Sequence, residues 1–295
     1  MSSTLIAVVF ALVIGHFLHP LQTLRDYRWC GAWAGWLDGQ VGEQAWWREW
    51  HGLLLSLGLP LLLVALLQWR MDGAAFGVPA FVFSVVVLFY SWGPRDLDRD
   101  VVAIVDAEDA PARQRAIEAL STERVVTDAP SLVEAVFDEA MLRWFSVIFW
   151  FLVLGPFGAL AFRLLAQVAT AREPGFPSAQ RLGAAWAVRV MTWPVAQLMS
   201  LSLALVANFD AVFTAWREWH AGGARLDTGF LGAAARASVQ FELAGDDDSY
   251  TVDGGEAVPA LPSLPEVRDA MSLVWRMLLL WLAVLALFVL AGWVN

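Results

Sequence analysis

The feature that most constrains this chain is a series of apolar blocks, each about as long as a bilayer is thick. A hydrocarbon core of about 30 Å is crossed by about 20 helical residues, because a helix rises about 1.5 Å per residue. Hydrophobic residues occupy 59% of the 295 positions and charged residues only 16%, whereas a soluble domain needs about a quarter of its residues charged. The sequence therefore predicts an all-α, polytopic integral membrane protein.

The positions of the blocks predict about six membrane helices. Their predicted bounds are residues 5–24, 51–69, 74–92, 144–166, 185–207 and 271–294. The first is interpreted as a retained helix, because it lacks the positive n-region and cleavage site of a secretory signal. Gly155-Pro156 predicts a kink in the fourth helix and Pro194 a break in the fifth, because proline removes a backbone donor.

Charge divides the chain into regions. Residues 1–92 carry the first three membrane helices, residues 143–207 the next two, and residues 271–295 the last. Charged residues collect between them, in residues 93–142 and 208–270. We interpret the first stretch as a helical loop and the second as an acidic loop, and we expect both to be cytoplasmic.

Helical patterns are visible inside both loops. Ser131, with Glu134 three residues later, matches a capping box and predicts a helix that starts near Ser131. Its apolar face comprises Leu132, Val133, Val136, Phe137, Ala140 and Met141. The second loop opens with an amphipathic helix at residues 209–220. Its acidic run at residues 245–256 is interpreted as a flexible linker.

Residues 25–50 are rich in tryptophan. The tryptophans, several of them at helical spacing, are Trp29, Trp33, Trp36, Trp46, Trp47 and Trp50. Indole rings concentrate at the headgroup level of a bilayer. The segment is therefore predicted to be an interfacial helix that lies along the membrane surface.

Arginine predicts the orientation, because cytoplasmic loops carry an excess of basic residues. All 19 basic residues are arginine, which is typical of a GC-rich bacterial genome. With the N-terminus in the periplasm, fourteen arginines fall on the cytoplasmic side. We therefore expect a multi-pass protein of the bacterial inner membrane, with both large loops in the cytoplasm.

Residue content excludes several classes of protein. The net charge of −10 argues against binding to nucleic acid, since a binder offers cationic groups to phosphates. The single cysteine, Cys30, excludes an internal disulfide and a cysteine metal site. The histidines form no metal-binding pattern, and no catalytic triad or nucleotide-binding motif occurs in a credible context. No cofactor is expected, apart from Mg²⁺ under the enzyme alternative below.

A dense charge cluster at the end of the third predicted helix is the strongest local signal for a site. It contains Arg95, Asp96 and Arg99 together with Asp98 and Asp100. The arginines could hold a phosphate or carboxylate, and the carboxylates could hold Mg²⁺. Alternatively, the charges mark the membrane interface and pair with neighbours three or four residues away.

A second group of charged residues lies just before the fourth predicted membrane helix. Glu134, Asp138, Glu139 and Arg143 share one helix surface, which could perform acid–base chemistry or could simply be solvated.

Arg163 and Arg189 lie within or close to apolar helices. A charge at mid-bilayer depth costs at least about 2.5–3.5 kcal/mol. Each is therefore expected to have a partner or a wet cavity, unless it reaches water from the outer interface.

Short motifs follow one another in a recognisable order. They are Tyr90-Ser91-Trp92-Gly93-Pro94-Arg95-Asp96, Ile148-Phe149-Trp150, Gly155-Pro156-Phe157-Gly158-Ala159-Leu160, Trp193-Pro194, Asn208-Phe209-Asp210 and Leu273-Val274-Trp275-Arg276. In this order and spacing, over nearly the whole chain, they resemble the AmpE family of inner-membrane proteins linked to control of β-lactamase induction. The resemblance implies a regulatory protein in cell-wall sensing.

The AmpE family in turn resembles the adenosylcobinamide-phosphate synthases, which are membrane enzymes. Residues 93–96 keep the Arg-Asp pair of the Gly-Arg-Asp-Thr motif of these enzymes, with Pro94 inserted and Leu97 in place of threonine. Residues 137–143 lack the asparagine and the Asp-Gly pair of their second motif.

A regulatory membrane protein is therefore the first expectation. Its loops or its tryptophan helix would meet a cell-wall-derived ligand or a membrane protein partner, in addition to the lipid bilayer. One alternative is a membrane-embedded ligase or transferase that acts on a phosphorylated substrate through residues 95–96 and 138–139. Another is a carrier of a cell-wall intermediate, which needs Arg163 and Arg189 to line a polar cavity.

If the charge cluster is a binding site, Arg95→Ala and Asp96→Ala abolish function, because each removes a group that would hold the ligand. The amount of protein in the membrane stays unchanged. The measurement is β-lactam-induced β-lactamase activity, with the membrane level followed by immunoblot. Unchanged induction in both variants would contradict the hypothesis.

Overall fold

The protein is helical throughout the part that the structure describes. The computed structural model describes residues 6–8, 10, 25–71, 78–93, 95–121, 128–171, 175–223, 226–246 and 264–291. In chain order the helices are α1 (Arg28–Val41), α2 (Ala45–Arg48), α3 (Gly52–Met71), α4 (Val78–Ser91), α5 (Leu97–Val105), α6 (Ala110–Leu120), α7 (Ala129–Ala140), α8 (Ser146–Leu154), α9 (Pro156–Thr170), α10 (Ser178–Val206), α11 (Phe209–His220), α12 (Gly229–Asp246) and α13 (Pro265–Leu290). A π-helical turn, Met141–Phe145, joins α7 to α8. No strand occurs in these ranges, which confirms the predicted all-α class.

Among the described helices, α3, α10 and α13 are long and apolar enough to cross a membrane. The 20 residues of α3 extend over about 30 Å, the thickness of a hydrocarbon core. Helix α4 is apolar but has 14 residues, and residues 72–77 lie outside the described ranges, as does almost all of the predicted first helix. The predicted membrane character is therefore supported, whereas the predicted count of six helices is not confirmed.

Proline does not interrupt these long helices. Helix α3 contains Pro60, and α10 continues through Pro194. The predicted break at Pro194 is therefore wrong. Proline removes one hydrogen bond within the helix, and apolar helices tolerate this loss where neighbouring groups or small adjustments satisfy the freed carbonyl.

The fourth predicted membrane helix is replaced by a hairpin of two shorter helices. The chain turns at Gly155, whose φ of 69° lies in the region that favours glycine, and α8 and α9 pack against each other. Arg163 donates from Nη2 to the carbonyl of Leu142 over 3.3 Å. A continuous helix would separate these two residues by about 31 Å. The predicted kink is therefore a reversal of chain direction.

A side chain of α3 holds the tip of this hairpin. Gln68 donates from Nε2 to the Leu154 carbonyl over 3.4 Å and accepts the Phe157 N–H at Oε1 over 3.1 Å. A Cβ atom at Gly155 would lie 2.7 Å from Gln68 Nε2, so a larger residue there would displace the Gln68 amide. Because a hydrocarbon core offers no water, backbone groups at a helix break need such partners.

The described residues belong to two units. The first comprises Met1–Pro94, Leu142–Thr192 and Leu285–Asn295. Helix α9 lies at its centre and packs against α3, α4 and α8. Leu160, Leu164 and Val168 of α9 belong to an apolar cluster that also includes Cys30 and Leu57.

The second unit comprises Arg95–Met141 and Trp193–Val284. Helix α12 packs against α7 and α11, and α5 packs against α6. The apolar face predicted for α7 is confirmed, because all of its residues are buried. The buried residues of this face are Leu132, Val133, Val136, Phe137, Ala140 and Met141.

Side-chain caps start several helices of the second unit. Asp96, Asp109 and Asn208 accept hydrogen bonds from backbone N–H groups at the starts of α5, α6 and α11. The cap of α7 is Asp128, and Ser131 occupies the third helical position. The predicted start near Ser131 is therefore wrong, because Asp128 and Ser131 form the capping box between them. Their hydrogen bonds lower the pKa of the Asp128 carboxyl.

The tryptophan-rich segment is helical over most of its length, as predicted. Trp33 donates from Nε1 to the Ser56 carbonyl of α3 over 3.0 Å, and the fully buried Trp47 donates to Asp38 over 2.8 Å. The exposed tryptophans of this segment are Trp29, Trp36, Trp46 and Trp50. Trp33 therefore attaches the segment to α3 and Trp47 joins its two helices, while its place at a membrane interface stays a prediction.

Replacement of Gln68 tests the hairpin. Gln68→Leu should lower the free energy of unfolding by about 2 kcal/mol, because it leaves the Leu154 carbonyl and the Phe157 N–H without their partner. Gln40→Leu, at an exposed position of α1, is the matched control and should change stability little. Thermal unfolding of the detergent-solubilised chain measures both. Equal stability of the two variants would rule out this role for Gln68.

Candidate functional site

The predicted charge cluster serves largely to build the start of α5. Asp96 caps the helix by accepting the Asp98 N–H over 3.2 Å. Arg95 donates from Nε and Nη2 to Oδ1 of Asp100 over 3.1 and 2.7 Å, and Asp100 is only 4% exposed. Arg99 is exposed. Asp98 accepts Nε1–H of Trp275 over 3.2 Å.

Arg95 pairs within the cluster, although with Asp100 five residues away, whereas the alternative interpretation predicts partners three or four residues away. A buried carboxylate such as Asp100 needs a cation, and Arg95 supplies it from five residues away. The contact of Asp98 with Trp275 attaches the first turns of α13 to α5. The cluster therefore contributes first to helix capping and helix packing.

The predicted carboxylate Glu134 lies between two helices of the second unit. It forms an ion pair with Arg236 of α12, and its side chain is 15% exposed. Gly232, one turn before Arg236, permits the close approach, because a Cβ atom there would lie 3.0 Å from Cγ of Glu134. This ion pair therefore connects α7 to α12.

Beside the ion pair, residues of α11 and α12 line a shallow, open groove, which we call the alanine groove. It consists of two adjoining cavities of about 530 and 600 Å³ that share Ala215, Glu218 and Ala237. Its other lining residues are Pro130, Asn208, Asp210, Ala211, Thr214, Trp219, Ala233, Arg236, Gln240 and Phe241. Pro130 extends the lining to the first turn of α7.

The alanine groove is lined by small, aromatic and acidic residues. Its lining includes four alanines, at 211, 215, 233 and 237, and the apolar side chains of Trp219 and the exposed Phe241. Asp210 and Glu218 are anionic, and Glu134 offsets the charge of Arg236. The groove therefore suits a narrow apolar surface that carries cationic groups at its edge.

The remaining carboxylates predicted on α7 are half-buried, and the residues on either side of them, Phe137 and Ala140, are buried. Asp138 and Glu139 lie near the end of α7, and Arg143 is buried in the π-helical turn that follows. Such turns occur often at functional sites. Their predicted role in binding stays a prediction.

The two predicted intramembrane arginines have different surroundings. Arg163 is 4% exposed and donates from Nε to the Ser91 carbonyl over 2.8 Å, in addition to its contact with Leu142. Arg25 donates to the nearby Gly93 carbonyl over 3.3 Å. Guanidinium groups are favourable at a helix C-terminus, where carbonyl oxygens concentrate negative charge. Arg189 is exposed on α10, so the structure does not bring it and Arg163 into one cavity.

Sequence reasoning missed the groove and Arg236. Alanines four residues apart, at 211 and 215 and again at 233 and 237, would have indicated two small-residue helix faces. The pairing of Arg236 with Glu134 had no local signal, because the two residues are far apart in the chain and meet only through helix packing.

A double-mutant cycle measures the ion pair between α7 and α12. Glu134→Gln and Arg236→Gln should each lower the free energy of unfolding by about 1 kcal/mol, because each leaves a partly buried charge without its partner. The double variant should lose less than the sum of the single losses. Strictly additive losses in thermal unfolding would show that the two side chains do not interact.

Within the described residues, no group of three or more His, Cys, Asp or Glu side chains is placed to hold a metal ion. Comparison with known proteins adds no relative: no family model matches the sequence, and neither a curated protein nor a solved structure matches the chain. The resemblance to the AmpE family therefore stays a prediction from the order of its motifs.

Proposed function

We propose that the chain is a bacterial inner-membrane regulatory protein of the AmpE type, and that it acts by binding a partner protein in the alanine groove. The proposed partner segment is a helix with small apolar residues on one face and arginine or lysine beside them. The function would belong to cell-wall sensing and the control of β-lactamase induction, with the loop helices α5–α7, α11 and α12 on the cytoplasmic side.

The observation that carries this proposal is the alanine groove itself. Because alanine side chains are small, a lining of alanines lets another helix approach closely. Helices commonly bind in such grooves through residues on one face. Asp210 and Glu218 at the edges favour a cationic partner. Anionic cell-wall fragments would be repelled by the same carboxylates, so a protein segment is the better candidate.

The roles of the predicted site residues also favour a binding protein over a transferase. Asp96 caps α5, Arg95 pairs with the buried Asp100, and Glu134 pairs with Arg236. Groups engaged in this way hold helices together. The carrier alternative is disfavoured as well, because Arg189 is exposed while Arg163 is buried.

Filling the groove tests the proposal. Ala215→Trp and Ala237→Trp should abolish the contribution of the chain to β-lactamase induction, because the indole occupies the space of the partner helix. Ala103→Trp, at an exposed alanine of α5 in the same unit, is the matched control and should behave like the wild type. The assay is β-lactam-induced β-lactamase activity in a strain whose own copy is deleted, at equal membrane levels of each variant.

A photo-crosslinking amino acid at position 218 identifies what occupies the groove. The proposal predicts a protein adduct that disappears in Ala215→Trp and persists in Ala103→Trp. Wild-type induction in both groove variants would reject the proposed function. An adduct with a small molecule instead of a protein would reject the proposed partner.

A further inference from the structure

Helix α11 carries a row of aromatic rings on one face. The rings of Phe209, Phe213, Trp216 and His220 contact one another in this order, with centroids 5.8, 6.1 and 4.3 Å apart, the last pair tilted. Phe209 and Phe213 are 54% and 46% exposed, whereas Trp216 and His220 are half-buried. Exposed aromatic surface costs about 25 cal/mol per Å² in water, so contact of this pair of rings with an apolar medium would be favourable.

Two polar residues of α11, Thr214 and Glu218, lie on the other side of the helix. At about 100° per residue, Thr214 and Glu218 project away from Phe209 and Phe213. Both polar residues line the alanine groove. The helix is therefore amphipathic, with the groove on one side and the exposed phenylalanines on the other.

A contact between two candidate spans indicates how deep the end of α10 lies. Trp281 of α13 donates from Nε1 to Oγ of Ser202 over 2.8 Å. Trp281 lies within the uninterrupted apolar run of α13, so Ser202 lies at the depth of that run. Helix α10 ends at Val206, and Phe209 follows at most about 10 Å further along the chain.

Helix α11 also lies beside the last turns of α10. Trp216 donates from Nε1 to Oε1 of Gln197 over 2.9 Å, and Gln197 is about 13 Å along the helix axis before Val206. On the same stretch of α10, Leu201 and Leu205 are exposed, as expected for a helix that faces lipid. The exposed phenylalanines of α11 therefore follow closely on an end of α10 whose exposed surface is apolar.

We infer that Phe209 and Phe213 insert into the boundary between the headgroups and acyl chains of the phospholipid bilayer, so that α11 is a membrane-interface anchor. Amphipathic helices with aromatic residues on the apolar face bind in this position. Helix α11 has two carboxylates and one arginine, Asp210, Glu218 and Arg217. Its anchoring therefore depends on apolar insertion and not on attraction to anionic lipid.

Site-directed spin labelling of the full chain tests the anchor. Cys30→Ala removes the single native thiol, which is buried and whose burial raises its pKa to about 11. Single cysteines at Phe213→Cys, Phe209→Cys, Glu218→Cys and Leu201→Cys then carry a nitroxide. The chain is reconstituted into phosphatidylethanolamine vesicles with and without phosphatidylglycerol, and collisions with oxygen and with a water-soluble nickel complex are measured.

The anchor predicts that the ratio of oxygen to nickel collisions at 209 and 213 is several-fold higher than at 218, in both lipid compositions. Leu201→Cys is the lipid-facing reference and should give the highest ratio. Ratios at 209 and 213 equal to that at 218 would overturn the inference, as would labels shielded from both reagents, which indicate a protein cover. A low ratio at 201 would also overturn it, by showing that α10 does not face lipid.

Discussion

Backbone carbonyl and amide groups that leave water must find partners inside the protein, and the first unit depends on this requirement. Arg163 donates to carbonyl oxygens at the end of α4 and in the π-helical turn, and Arg25 donates to the carbonyl of Gly93. Gln68 satisfies one carbonyl and one amide across the break at Gly155. The polar side chains that look costly in an apolar sequence are thus the groups that allow its helices to end and turn. The buried helix α9 can lie at the centre of the unit because these bonds hold its start and its one arginine.

The second unit differs, because its helices carry many carboxylates that need hydrogen-bond donors or cations. Aspartate and asparagine side chains cap the helix starts, Asp100 is paired with Arg95, and Glu134 is paired with Arg236. Helix α11 then presents different chemistry on its two sides. The proposed anchor and the proposed partner site would share this one helix, so that a partner in the alanine groove would be held close to the membrane surface.

Some elements of this fold were predictable and others were not. The apolar blocks predicted α3, α10 and α13, and the periodicity of residues 132–141 predicted the buried face of α7, because both signals are local. The capping box was placed three residues too late, since Ser131 fits the cap pattern as well as Asp128 does. Pro194 was expected to break α10, but propensity is a weak prior where apolar packing extends along the whole helix. Of the candidate site, Glu134 was found by sequence, and its partner Arg236 was not.

The amino-acid sequence alone determined that the chain is helical, that several of its helices are of membrane length, and that its charge lies in the loops. These properties follow from hydrophobicity and periodicity over windows of about 20 residues. Only the tertiary structure decided that Gly155 reverses the chain, that Arg163 is buried while Arg189 is exposed, and that α7, α11 and α12 leave a groove beside an ion pair. The physical reason is that each of these depends on partners far away in the chain, whose approach is set by packing and by the need to satisfy buried polar groups.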